Sequence, residues 1–500
     1  MSDNNKQESL DLERYFERFR KRSIGNRSCI KTPNGIKRLV YADWLASGRL
    51  YTSIEHAMST LVGPMVANTH SFSSETGKAS TYAYRYARRI IKKHVNASVD
   101  DILITTGTGM TGALVRLQRI MGLRLTGLSK ENSFMSEEER PVVFITHMEH
   151  HSNQVSWMET IADIVIVPAD CNGLVSPQNL EFELKKYADR EIKIGAFTAC
   201  SNVTGIITPY QELAIMMHTY GGYCIMDFAA SAPYVKIDMH PKNLKERLDA
   251  VVFSPHKFLG GPGSCGVLIF NRELYKTKVP DVPGGGNVKW TDPWGDFGYF
   301  EDIETREDGG TPGFLQAMRT AMAIRLKEKM GVHQMEKREG EQLSLCFEQL
   351  SRIKDLEIIG CKQKKRIGCV SFNIKNTHYN LVVRLLNDRF GIQVRGGWSC
   401  ASTYGHYLFG LDMNTSHRIM EDISHGDLTN KPGWVRLSLH PIMTNNEIDF
   451  ICRSISDVVE NINEWRKDYR YNPKTNEFEH LYYDDSKLIE NVKGWFDSLF

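Results

Sequence analysis

The chain has 500 residues, 41% hydrophobic and 24% charged, close to the soluble globular average, which excludes a disordered chain, a collagen or a coiled-coil rod. Lys and Arg number 62 against 60 Asp and Glu, a formal net charge of +2, too balanced for a protein built mainly to coat nucleic acid or an anionic membrane. At ~150 residues per domain the length accommodates roughly two to four domains and a large core.

The start, MSDNNKQESL, is polar and lacks the apolar region of a signal peptide. No stretch approaches the ~20 apolar residues needed to span a bilayer. Ten cysteines are scattered without a CxxC pair. They read as reduced thiols of a cytoplasmic protein rather than as a zinc site.

In chain order, LDLERYFERFRKR within residues 1–30 brings Leu12, Tyr15, Phe16 and Phe19 near one face and predicts a charged helix. Residues 38–47 read as a short strand leaving into a loop. Seven β-like runs follow: ILITT (102–106), VVFIT (142–146), IVIVPA (164–169), IGAFTAC (194–200), YCIMD (223–227), AVVFS (250–254) and GVLIF (266–270). Most are apolar at successive positions, which predicts strands buried on both faces of a mainly parallel sheet flanked by helices. Residues 280–313, rich in Gly, Pro and Trp, read as an ordered functional loop. One long charged helix is predicted over 314–354. A smaller α+β pattern follows, with VSFNI, a helix at 378–390, GIQVRGG, WVRLSLH and a final helix at 446–466. The expected organisation is an N-terminal segment contributing to the small domain (1–60), a large domain (61–320), a small α+β domain (321–466) and a polar, Tyr-rich tail (467–500).

Four runs carry chemistry. TTGTGMTGALVRL (105–117) leaves a strand and opens a helix, with Gly107, Gly109 and Gly112 in G-x-G-x-x-G spacing. Small residues there let backbone N–H groups approach an anion, and the helix N-terminus favours a phosphate. A dinucleotide site would want an acid ending a second strand ~20 residues on; Glu131 is near that distance but lies in a polar stretch. HMEHHSNQ (147–154) puts His147, His150 and His151 where a strand ends. The spacing is not H-E-x-x-H, and such a His can stack on a flat ring, move protons or simply be a satisfied loop residue. Asp227 ends an apolar strand, where a carboxylate needs a cation, a donor or a helix to cap. In VVFSPHKFLGGPGSCGVLIF (251–270), Lys257 follows a strand end among small residues, where lost solvent lowers its pKa toward Schiff-base chemistry. A phosphate cradle, a ring-facing His, an Asp and a Lys, all at carboxyl ends of predicted strands, are the set that pyridoxal 5'-phosphate needs.

These residues resemble the class V aminotransferase family of fold-type I pyridoxal-phosphate enzymes, most of all its cysteine desulfurase and selenocysteine lyase branch, over roughly residues 38–460. S-x-H-K matches Ser254–Lys257, which implies that Lys257 forms the internal aldimine. E-H-H-x-N matches Glu149–Asn153 and implies that His150 stacks on the cofactor ring and helps move the α-proton. C-S-N-V-T-G at 200–205 resembles S-N-x-x-G and places Asn202 beside cofactor and substrate; the strand-end aspartate falls on Asp227. By resemblance the phosphate is held by backbone at Gly109 and Met110, by Ser254 and His256, and by the threonine of a G-T-P loop from the partner subunit, matched by Gly310-Thr311-Pro312. N-x-H at Asn68–His70 resembles another segment contributed across a homodimer.

VRGGWSCASTYGH (394–406) resembles the R-x-G-x-x-C loop whose cysteine attacks sulfur, with Arg395 and Cys400 in the matching places. WVRLSLHPIMTNNEID (434–449) resembles the segment in which an arginine, here Arg436, holds the substrate carboxylate. Departures are Ala230 where the family often has Gln, Met110 where many members have Glu, and Trp398-Ser399 where close desulfurases have His-His. The resemblance implies removal of sulfur from L-cysteine through a Cys400 persulfide with release of alanine, and a protein sulfur acceptor. The alternative is an aminotransferase, C–S lyase or epimerase of the same family without persulfide chemistry. No metal, nucleic acid or membrane is expected.

Overall fold

The computed structural model describes residues 3–124, 135–360 and 365–498. The seven apolar runs form one seven-stranded sheet. Its spatial order is Asp101–Thr106, Gly266–Asn271, Ala250–Phe253, Tyr223–Asp227, Lys193–Thr198, Val142–Thr146 and Asp163–Val167. Six strands run the same way, and Gly266–Asn271 opposes both its neighbours. Successive residues point to opposite faces, so one strand feeds two cores. Val143, Ile145, Ile194, Ile225, Val252 and Leu268 pack with Ala113, Leu114 and Leu117 of the helix Gly109–Ile120. Phe144, Phe197, Met226, Val251 and Val267 pack with Tyr84, Ala87 and Ile91 of the helix Glu75–His94 and with Ala317, Ala321 and Ile324 of the helix Phe314–Met330. Burial on both sides is what apolar, non-alternating strands require.

A second, antiparallel sheet has the order Leu356–Ile358, Cys369–Ile374, Trp434–Ser438, Arg395–Gly397. Its Val370, Phe372, Val435 and Leu437 are covered by the helices Tyr379–Phe390 and Asn445–Trp465. The start of the chain joins this unit. Phe16 and Phe19 enter the same core, Val40–Tyr41 pairs in parallel with Ile392–Gln393, and Ser438 N donates to Ala42 O at 2.8 Å. The small sheet is tied to the loop that follows Lys193–Thr198, where Ser371 Oγ donates to Val203 O at 2.6 Å. Among the described residues no helix is long and apolar enough to cross a membrane.

Several expectations are revised. The single helix over 314–354 is two, Phe314–Met330 and Val332–Leu350, separated at Gly331 with φ +80° and ψ 113°. The charged helix expected within residues 1–30 runs over Asp3–Arg20, and a hairpin, Cys29–Thr32 with Gly35–Arg38, takes up the end of that region. The loop at 280–313 holds a small hairpin, Val288–Thr291 with Phe297–Tyr299. The tail is ordered as a hairpin, Tyr469–Asn472 with Glu477–His480, and an exposed helix, Ser486–Asp497.

The break at Gly331 gives a stability test. Gly331→Val places a side chain at a φ that L residues rarely adopt and costs about 1–3 kcal/mol. Gly340→Ala, in the interior of the next helix with open space around the new methyl, gains about 0.5–1 kcal/mol. Thermal unfolding followed by circular dichroism should lower the midpoint for the first variant and raise it for the second.

Candidate active site

The carboxyl ends of the parallel strands meet the small sheet around a cavity of 560 Å³. Its floor is the start of the helix Gly109–Ile120, whose N-cap residue, Thr108, makes no side-chain cap. The first N–H groups of a helix have no intrahelical partner and carry the positive end of its dipole, so this floor suits an anion. Met110 N donates to Ser254 Oγ at 2.8 Å, which joins the end of Asp101–Thr106 to the end of Ala250–Phe253. Gly109 has φ +62°, and a Cβ there would sit 3.0 Å from Ser254 Oγ, so the close approach requires glycine.

Above this floor stand Asp227, Lys257, His150 and His256. Asp227 ends its strand 4% exposed. Burial pushes its carboxyl up to about 6, opposed by a hydrogen bond of 2.7 Å from Ala229 N to Oδ1 and by the charge of Lys257. Burial likewise pushes the Lys257 amine down to about 8; Asp227 pulls it up, while Arg436 and Arg395 push it further down. His150 is pushed down to about 3 and His256 to about 4, each by burial first and by Lys257 second, so both rings are neutral. His150 caps the helix His151–Met158, its Nδ1 accepting from Ser152 N at 3.1 Å. That puts its proton on Nε2.

The opposite wall comes from the small sheet. Arg436, 3% exposed, donates from NH1 to Asn202 O at 3.1 Å and pairs through NH2 with Asp43 Oδ1 at 2.9 Å. Its Nε is buried without a partner. Arg395 Nε holds the other oxygen of Asp43 at 3.1 Å. Three cations, Lys257, Arg395 and Arg436, thus face two carboxylates, Asp227 and Asp43, an excess that suits an anionic ligand. Asn202 donates from Nδ2 to Ser399 O at 2.6 Å, and its Oδ1 is buried and unpartnered. Cys400 is exposed at the cavity wall. It and Ser399 have φ of +56° and +50° in succession.

The structure therefore brings together Gly109, Met110, His150, Asn202, Asp227, Ser254, His256, Lys257, Arg395, Cys400 and Arg436 on one cavity. It does not bring His70 or Thr311 there. His70 Nε2 lies 3.7 Å from Asp308 Oδ2, on the loop that leads to Thr311. Ala230 lines the wall and offers no side-chain amide. The three histidines of 147–151 have separate partners: His147 Nε2 meets Gly173 O at 3.1 Å, and His151 Nε2 meets Ser402 Oγ at 2.7 Å. Among the described residues no group of three metal-binding side chains occurs. Glu131 lies outside the described residues.

Two residues escaped the sequence reading. Asp43 was one polar position in a short strand, and its signal was a single acid inside an apolar run, VYADWLA. Glu149 stands in the sequence only as the first residue of E-H-H-x-N. It is 1% exposed, and its Oε1 accepts from Thr146 Oγ1 at 2.7 Å and from Thr198 N at 2.9 Å, while Asn153 Nδ2 donates to Oε2 at 2.7 Å. Burial pushes its carboxyl up to about 8. It ties together the ends of the strands Val142–Thr146 and Lys193–Thr198, one residue before His150.

The class-V aminotransferase family model matches residues 40–451. A probable cysteine desulfurase of Staphylococcus aureus (strain COL) is 30% identical over 377 residues, covering 74% of this chain and 85% of that protein. A probable cysteine desulfurase of Halalkalibacterium halodurans is 30% identical over 380 residues, covering 74% and 86%. Among solved structures, an apo cysteine desulfurase from Thermococcus onnurineus NA1 superposes with a TM-score of 0.72 at 22% identity, covering 89% of this chain and 98% of that one. The Escherichia coli cysteine desulfurase CsdA gives 0.66 at 20% identity, covering 84% and 94%. The fold is thus the fold-type I arrangement of helices about a mostly parallel seven-stranded sheet, and the chain belongs to the class-V aminotransferase family of enzymes.

Proposed function

We propose that this protein is a pyridoxal-phosphate-dependent cysteine desulfurase that moves the sulfur of L-cysteine onto Cys400 and releases alanine. The observation that carries the reading is the opening of Lys257, Asp227, Arg436 and Cys400 into one cavity of 560 Å³. The names of the relatives at 30% identity support it.

The residues present fit the cofactor. The uncapped helix start with Gly109, Met110, Ser254 and His256 is a seat for its phosphate. Asp227 would supply a carboxylate for its pyridine nitrogen and His150 a neutral ring for its face, and Asn202 Oδ1 is a buried acceptor that lacks a partner. Lys257 is the amine that would hold its aldehyde end. When bound, the cofactor supplies an electron sink for the bonds at the substrate's α-carbon.

The chain's own groups do the rest. With its pKa about 8, about one tenth of Lys257 is neutral at pH 7, so the amine can both bond a carbonyl and take a proton from an α-carbon. The substrate carboxylate goes to Arg436, whose Nε is unpartnered, with the Asp43 pair fixing the guanidinium plane. The Cys400 thiolate attacks the substrate sulfur. An S–S bond forms and the Cβ–S bond breaks, its electron pair stays with Cβ, and a proton completes the methyl group of alanine. No external oxidant is required. A second thiol, on an acceptor, then removes the terminal sulfur.

His70 and Thr311 lie outside the cavity of their own chain, which supports a homodimer in which each serves the neighbouring site. The nine cysteines among the described residues are all free, in keeping with action in a reducing cytoplasm.

Lys257→Ala should yield colourless protein whose sulfide release falls at least ~10³-fold, read by visible absorbance and a sulfide assay. Cys400→Ser should keep the cofactor's absorbance and lose sulfide release, whereas amino exchange with a keto acid in place of alanine formation would point to the transaminase alternative. In apoenzyme, the rate at which added cofactor becomes borohydride-reducible on Lys257 should rise with pH and level off above about 8, because only the neutral amine attacks the aldehyde. Arg436→Lys should raise the KM for L-cysteine about 10-fold or more, with a smaller change in kcat, since a point charge cannot reproduce a fixed planar fork.

A further inference from the structure

Ser399 and Cys400 hold a left-handed backbone in succession, a conformation that residues with side chains disfavour. Something outside the loop must keep them there. The helix His151–Met158 begins with His151 N donating to the Cys400 carbonyl at 2.7 Å. The helix Ser402–Phe409 begins with Ser402 N donating to His151 Nε2 at 3.1 Å, and Ser402 Oγ lies 2.7 Å from the same nitrogen. The residue before that second helix, Ala401, supplies no side-chain cap. Each helix start therefore satisfies an orphan amide at or beside the other. Both bonds belong to one residue, His151, through its backbone on one side and its ring on the other. Because Nε2 accepts from an amide, the ring is neutral with its proton on Nδ1. The adjacent histidines divide the work: His150 lines the cavity, and His151 turns to the loop.

We propose that His151 is a positioning residue for the sulfur-attacking thiol, its backbone amide and ring nitrogen stapling the Cys400 loop to the large sheet so that the thiol stays at the cavity wall. The inference rests on the reading of Cys400 as the nucleophile. His151 acts only through the backbone of Cys400 and through Ser402, so it is not a catalytic residue. Two other straps cross the same seam: Asn202 Nδ2 to Ser399 O at 2.6 Å, and Thr403 Oγ1 to Gln154 Oε1 at 2.8 Å. Losing the ring thus loosens the loop without detaching it.

The test compares holoenzyme with His151→Ala and His151→Gln, the latter able to place an amide oxygen near the position of Nε2. His151→Ala should lower kcat for sulfide release about 10- to 100-fold, the cost of a small misplacement of a reacting atom, with the KM for L-cysteine within about twofold and the cofactor's visible absorbance unchanged. His151→Gln should recover most of the loss. In parallel, iodoacetamide labelling of Cys400, mapped by mass spectrometry, should run at least about threefold faster in His151→Ala and near the native rate in His151→Gln. An unchanged kcat and labelling rate in His151→Ala would overturn the proposal, as would a Gln variant no better than Ala. Cys400→Ser reads the parent assignment separately. Full sulfide turnover by that variant removes the nucleophile, while the labelling comparison still reports on the loop.

Discussion

Asp227 and Lys257 stand at the carboxyl ends of two neighbouring strands inside the sheet, and loss of water acts on both at once. It pushes the ammonium down to about 8 and the carboxyl up to about 6, which brings two groups ordinarily far apart in pKa to within reach of each other near neutrality. Each also stabilises the charged form of the other. The balance depends on keeping solvent out, and so on the apolar strands that end at these residues. Burial of the strands on both faces is thus as much a condition of the chemistry as of the fold.

The site lies at a seam. The large sheet contributes the anion floor, the amine and the buried carboxylate. The small sheet contributes the arginines and the thiol. Polar contacts bridge the two, from Arg436 to Asn202, from Ser371 to Val203 and from His151 to Ser402. A polar seam fixes geometry more tightly than an apolar one, because every misaligned donor or acceptor is left without a partner.

Much of this was legible in the sequence. Each of the seven sheet strands is a run of apolar residues with no helical period. The residues that the large sheet brings to the cavity stand at or just after the ends of these runs, since a polar residue at the end of a buried strand has few reasons to be there. The contacts that were not legible are long-range. Asp43 meets Arg436 across 393 positions, and His151 meets Ser402 across 251; no local pattern encodes such a pairing. The break at Gly331 was missed because apolar and charged residues keep a helical rhythm on both sides of it, and only the positive φ interrupts it. The N-terminal hairpin had a visible cue in Asn34-Gly35 between two short runs, which the charged helix before it obscured.

The carboxylate that orients Arg436 belongs to the first tenth of the chain, and the arginine to the last seventh. During synthesis at about 5–20 residues per second, roughly 20–80 s separate the two on the ribosome. Throughout that interval the edge Val40–Tyr41 waits for its strand partner Ile392–Gln393, and for most of it Phe16 and Phe19 wait for the helix Val332–Leu350. The large sheet can be complete while the opening segment is still unhoused. A nascent chain of this protein therefore carries an uncovered apolar helix face and an unpaired strand edge for most of its translation.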